Sequence, residues 1–165
     1  MGMAIGPNFG NELAAAGLFA LQMAWTPDGS FTYGPAMTSD QTTAVAAVVA
    51  AHDPTKPDIT QVASVVSTGT SALNGYYAIN PTAQQQITSE AIYIQVTGGI
   101  ASGRFSNGQT TSDWPDAAGA FHTFNLTEFI NFAEGIASYF RGVIAGQAAA
   151  LKQQVPSWPS TVTIP

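Results

Sequence analysis

Charge is what this sequence has least of. Ten acidic and four basic residues make 8% of the 165 positions charged, against roughly a quarter in ordinary soluble domains. The basic residues Lys56, Arg104, Arg141 and Lys152 are scattered, and the net charge at pH 7 is −6. No cluster can neutralise phosphates, so nucleic-acid binding is not expected. Cysteine is absent, which excludes disulfides and thiolate metal sites. Two distant histidines, His52 and His122, give no zinc pattern. The longest apolar run, 44–51, has eight residues, too few and too Ala-rich to cross a bilayer, so membrane insertion is not expected. No basic region followed by an apolar core opens the chain, so no secretory signal is evident and synthesis without a signal peptide is expected.

What is there is a hydrophobic content of 45%, enough for a core, and a surface left to Ser, Thr, Asn, Gln, Gly and Ala. Charge normally keeps soluble surfaces apart. A surface without it suits a subunit covered by neighbours, and the competing reading is a neutral, hydroxyl-rich extracellular surface.

Candidates for chemistry are few. His52-Asp53 resembles a base and its orienter, but adjacent residues at a helix end point apart, and the helix dipole favours a histidine there. His122 lies near Asp113, Trp114 and Asp116 in sequence. It suits acid–base work less well than a hydrogen bond to a turn. No spacing approaches a calcium loop, there is no Gly-x-Ser-x-Gly elbow, and the glycine-rich 98–103 stretch lacks the lysine of a phosphate loop. No enzyme activity, metal or cofactor is expected.

The most strongly written stretch is 120–155, a short strand feeding a long helix. Asn125 with Glu128 forms a capping box, and Phe124 with Phe129 a hydrophobic staple. Phe129, Phe132, Ala133, Ile136, Phe140, Val143, Ile144 and Leu151 recur at helical spacing until Pro156. About 28 residues give a helix of roughly 42 Å. Gly135, Gly142 and Gly146 each cost it about 1 kcal/mol relative to Ala. They permit close approach, either of the domain's own sheet or of the same helix from another subunit.

Ahead of it, the pattern predicts an arm at 1–7, a short helix capped by Asn8 or Asn11, and a glycine stop at Gly17. A hairpin across Thr26-Pro27-Asp28-Gly29 and a helix capped by Thr38 or Ser39 and ending near His52 follow. Residues 54–60 read as a linker between a 1–53 region and a 61–155 domain. Residues 59–66 are ambiguous between helix and strand, with β-branched content favouring strand; 76–79 is an expected strand, and Pro81 opens a helix. Residues 92–96 are open between helix and strand. Asn107-Gly108 predicts a two-residue hairpin turn, and Trp114-Pro115-Asp116 with Gly119 a second turn. Val162 and Ile164 alternate in an extended, Pro-rich tail over 156–165 that docks on its own domain or on a neighbour. Removing 155–165 is expected to weaken assembly and leave the fold intact. Gly135, Gly142, Gly146, Trp158, Val162 and Ile164 are the candidate partner interface.

The ordered motifs Ala72-Leu73-Asn74-Gly75-Tyr76-Tyr77-Ala78-Ile79-Asn80-Pro81, Phe105 to Thr111, Trp114 to Asp116 and His122 to Phe124 resemble a small domain of unknown function common in phages and prophages. The resemblance covers about 61–155. Met23 to Gly29 and Ala50 to Pro54 are similar to the leading region of such proteins. Family members are associated with tail-fibre, baseplate and tail-fibre-assembly gene products, and no catalytic residues are established for them.

The expected fold is α+β, with an N-terminal helix–hairpin–helix region followed by a small antiparallel sheet packed on a long C-terminal helix. The expected function is a non-enzymatic structural component of a phage tail, in the virion, partnered with other tail proteins and with itself. The alternatives are a tail-fibre assembly chaperone absent from the mature particle, and a carbohydrate-binding module stacking sugars on Trp25, Tyr76, Tyr77, Trp114 or Trp158.

Overall fold

The computed structural model describes residues 4–99 and 101–165. Residues 1–3 of the expected arm, and Ile100 of the glycine-rich stretch, lie outside the described residues. The chain is mixed α+β, with four α-helices and seven short strands among the described residues. It forms two compact units. One holds the chain up to Ile59 with Gly142–Trp158, and the other holds Thr60–Arg141 with Pro159–Pro165. The composition placed a boundary at 54–60. It did not foretell that the C-terminal part of the chain would be divided between the units.

In the first unit, α1 (Phe9–Ala15) carries Phe9 and Leu13 into a core completed by Val45 of α2 (Ser39–Ala51). The Phe9 ring meets Trp25, Phe31 and His52 edge-on at 5.3, 5.8 and 5.2 Å. Helix α1 stops at Gly17, whose φ of +74° suits glycine. The Leu18 N–H returns to the Leu13 carbonyl at 2.9 Å, which satisfies a helix-end acceptor. Strands β1 (Met23–Trp25) and β2 (Phe31–Tyr33) pair antiparallel. Thr38 caps α2 reciprocally with Gln41, at 3.2 and 2.9 Å.

In the second unit, β3 (Val62–Ser67) lies between β4 (Gly75–Ala78), antiparallel to it, and β7 (Val162–Ile164), parallel to it. Strands β5 (Thr111–Pro115) and β6 (Phe121–Asn125) form a separate hairpin. Helix α3 (Pro81–Val96) follows β4, with the Asn80 side chain accepting from the Ala83 N–H at 3.0 Å. Helix α4 (Leu126–Leu151) follows β6. Asn125 and Glu128 exchange hydrogen bonds of 2.8 and 3.0 Å at its start. The staple is present too, with the Phe124 and Phe129 rings 5.9 Å apart. Its first turns pack on the strands through an aromatic core: Phe132 meets Tyr77 at 4.9 Å and Phe124 at 5.0 Å.

Three expectations are corrected and one open reading is settled. The sheet is not a single antiparallel one, because β7 returns from the far end of the chain to pair parallel with β3. Residues 92–96 are helical, since α3 buries Ile94 at helical spacing from Ile87. Asn107-Gly108 turns the chain without making a hairpin: Gly108 has φ of +75°, but the preceding segment is anchored by buried Phe105 and forms no strand. Helix α4 ends at Leu151, not 155. Gln153 takes a left-handed φ of 57° there, and its N–H and that of Gln154 close on the Ala150 and Ala149 carbonyls at 2.9 Å each.

Candidate functional site

A concavity in the second unit has a volume of about 700 Å³. One wall is α3. Gln85, Gln86, Ser89 and Glu90 fall on one face of it and line the cavity, because residues three and four apart share a helix side. The opposite face buries Ile87 and Ile94. The other wall is β5 with its following turn. Trp114 lines the cavity and packs on Phe129 at 5.1 Å, edge to face.

Each carboxylate in the lining is held by hydrogen bonds within the protein. Glu90 Oε1 accepts from the Ser106 N–H at 2.9 Å. Asp113 Oδ1 accepts from the Thr123 hydroxyl at 2.6 Å. Asp116 Oδ1 accepts from the Ala118 and Ala120 N–H groups at 2.9 and 2.8 Å, closing the hairpin turn at Gly119. The Ala120 N–H, and after it the His122 side chain, hold the Asp116 carboxyl below its usual range. Among the described residues no three His, Asp or Glu side chains converge as a metal site.

His122 is engaged on both ring nitrogens. Its Nδ1–H donates to the Ala72 carbonyl at 2.6 Å, and Nε2 lies 3.4 Å from Asp116 Oδ2. The ring also packs on Tyr77 at 5.4 Å. The arrangement fixes β6 to the loop that precedes β4. Burial and the nearby Asp116 charge push the Tyr77 hydroxyl well above its ordinary pKa, and that hydroxyl donates to the Leu73 carbonyl at 2.9 Å.

His52 pairs with Glu12, not with Asp53. Its Nδ1 lies 2.6 Å from Glu12 Oε2, and its Nε2 accepts from the Gly6 N–H at 2.8 Å. Because Nε2 accepts, the ring proton sits on Nδ1 and is donated to the carboxylate. Asn8 donates to the same carboxylate at 3.2 Å, and Asn11 bridges Asn8 and Asp58 at 3.0 Å each. Asp53 instead accepts from the Thr55 side chain and N–H, which lower its pKa. His52→Ala is expected to cost about 1–3 kcal/mol, since it orphans the Gly6 donor and the Glu12 acceptor. The midpoint of urea unfolding checks this.

Of the candidate interface glycines, Gly135 and Gly146 lie against this chain's own tail. An added Cβ at Gly135 meets Val162 at 2.5 Å, and one at Gly146 meets the Trp158 ring at 2.4 Å. Val162 and Ile164 are buried in β7. The close approach that the Gly135 and Gly146 positions permit is made within one chain, by Val162 and Trp158. Gly142, half-buried, is the remaining member of that set. Gly146→Ala is expected to lower stability despite the ~1 kcal/mol helix-propensity gain, because the rigid indole must shift at a cost of ~1–3 kcal/mol. Thermal unfolding measures the sign. Of the aromatics considered for stacking, Tyr77 is fully buried and Trp158 covers Gly146, whereas Trp114 lines the cavity and Tyr76 is exposed.

Sequence reasoning had noted Trp114, Asp113 and Asp116 but not the polar face of α3 opposite them. The signal was the Gln85, Gln86, Ser89, Glu90 spacing. No protein-family profile, no curated protein and no solved structure matches this chain.

Proposed function

We propose that this chain is a non-enzymatic structural component of a phage virion tail, at the baseplate or where a fibre attaches, acting by assembly with itself and with other tail proteins. The observation that carries the reading is apolar exposure on a chain in which only 8% of residues are charged. On α3, Ile92, Tyr93 and Val96 form an outward stripe, with Val96 78% exposed. Phe121 of β6 is 70% exposed. Single exposed apolar residues are ordinary, but a stripe on one helix with few charges around it suits a covered surface. The ordered motifs' resemblance to a phage and prophage domain is what suggests the tail. In this reading the N-terminal helix–hairpin–helix region and the strands under α4 serve as two mounting modules.

The test is sedimentation over a concentration series, with Ile92→Glu/Val96→Glu as the comparison. The parent chain is expected to associate as concentration rises, and the double variant to keep its circular dichroism and sediment as one chain. Parent protein that stays monomeric throughout, together with a variant that enters particles as well as the parent, contradicts the reading. A chaperone would act during assembly and be missing from the finished particle.

A further inference from the structure

We propose that the cavity between α3 and β5 is a binding site for a neutral saccharide. The inference is independent of whether the chain remains in a virion, and it rests on what the cavity walls offer and what they lack. Its volume of about 700 Å³ lies in the range of small-ligand sites. No lysine or arginine lines it, while three carboxylates do. Phosphorylated, sulfated and acidic ligands are therefore disfavoured by charge. Among the described residues the lining holds no aliphatic side chain larger than alanine or proline, so a lipid or other apolar ligand finds little there to bury against.

What remains is a ligand with one weakly polar face and an edge rich in hydroxyls. Trp114 supplies the surface for the face. The C–H groups of a pyranose are polarised positive, and an indole face is negative. The indole is held by an edge-to-face contact with Phe129 at 5.1 Å, so stacking requires little ordering. Tyr76, 53% exposed, is on the same side of β4 as the lining residue Ala78. Its carbonyl accepts from the N–H of Ala117, next to Asp116, at 2.6 Å. A second aromatic thus stands beside the cavity.

The edge is served by Glu90 and Asp113. Each has one oxygen anchored inside the protein, which orients the other as an acceptor for a sugar hydroxyl. The side-chain amide of Gln86, exposed on α3, adds a donor as well as an acceptor, as a hydroxyl requires. A cation is the competing ligand for an acidic wall. The carboxylates do not converge as a metal site among the described residues, and their internal hydrogen bonds already offset part of their charge.

The experiment uses the whole chain on an array of neutral glycans, then titrates the best binder in solution while following the indole resonances. Saturable binding is expected, with the largest shift at Trp114. Gln86→Ala and Trp114→Phe are each expected to weaken it roughly ten-fold, about 1.4 kcal/mol. Gln86→Ala should leave the thermal midpoint unchanged, which separates lost binding from lost fold. Three results overturn the proposal: no neutral glycan retained by the folded protein, binding that both variants leave intact, or arginine ethyl ester saturating the cavity where neutral glycans do not.

Discussion

Removal of Pro159–Pro165 is expected to unfold or nearly unfold the second unit. That segment carries β7, in which Ile164 and Val162 are buried while Thr163 between them is exposed. Burying a valine or isoleucine side chain stabilises by ~1.5–3 kcal/mol, so the pair accounts for roughly 3–6 kcal/mol. The truncation also removes the hydrogen bond from the Thr68 N–H to the Ile164 carbonyl, 2.9 Å, and the β3 pairing, and it uncovers Gly135. Whole domains are stable by only ~5–15 kcal/mol. This differs from the expectation drawn from the sequence, that removing 155–165 weakens assembly and leaves the fold intact. Urea unfolding of the truncated chain should show a markedly lower midpoint; an unchanged midpoint would mean that β7 contributes little.

Phe129→Ala is expected to cost ~3–5 kcal/mol, the usual loss for a fully buried aromatic. Phe129 is completely buried. Its ring meets Trp114, Phe105, Phe124 and Phe132 at 5.1, 5.6, 5.9 and 5.9 Å. It is also the inner half of the staple at the start of α4, so the change loosens the helix entry and the support behind Trp114. Denaturant unfolding gives the magnitude, and near-ultraviolet circular dichroism reads the tryptophan environment. Phe129→Leu, which keeps most of the volume, should lose far less.

The parts of this fold that were legible in the sequence are those encoded over a few residues. The Asn125–Glu128 box, the Gly17 stop and the Thr38 cap each depend on groups three to five positions apart, and each is present. What was not legible depends on distance along the chain. The parallel match of Val65–Ser67 to Val162–Ile164 leaves no local mark, because its partners are more than half the chain length apart. Asn107-Gly108 shows the opposite failure. The turn chemistry was present, but burial of Phe105 on Phe129 decided the flanking segment and no strand formed.

The same reasoning applies to the candidate sites. Glycine spacing on α4 signalled close approach, and the approach is real, but spacing cannot say which chain supplies the other side. For Gly135 and Gly146 it is Val162 and Trp158 of this one. The cavity was half legible. Trp114 and Asp116 stood out as turn residues, while the glutamines and serine of α3 read as an ordinary solvated helix face until β5 was placed opposite them. His52 looked like one half of a dyad with its neighbour in sequence. Its partner is instead Glu12, forty residues away, which ties α1 to the end of α2.

The assembly account is tested most directly by quantitative mass spectrometry of purified phage particles encoding this chain. It predicts peptides from both units, in a fixed ratio to the other tail proteins and resistant to washing. Complete, infective particles that lack the chain would contradict it.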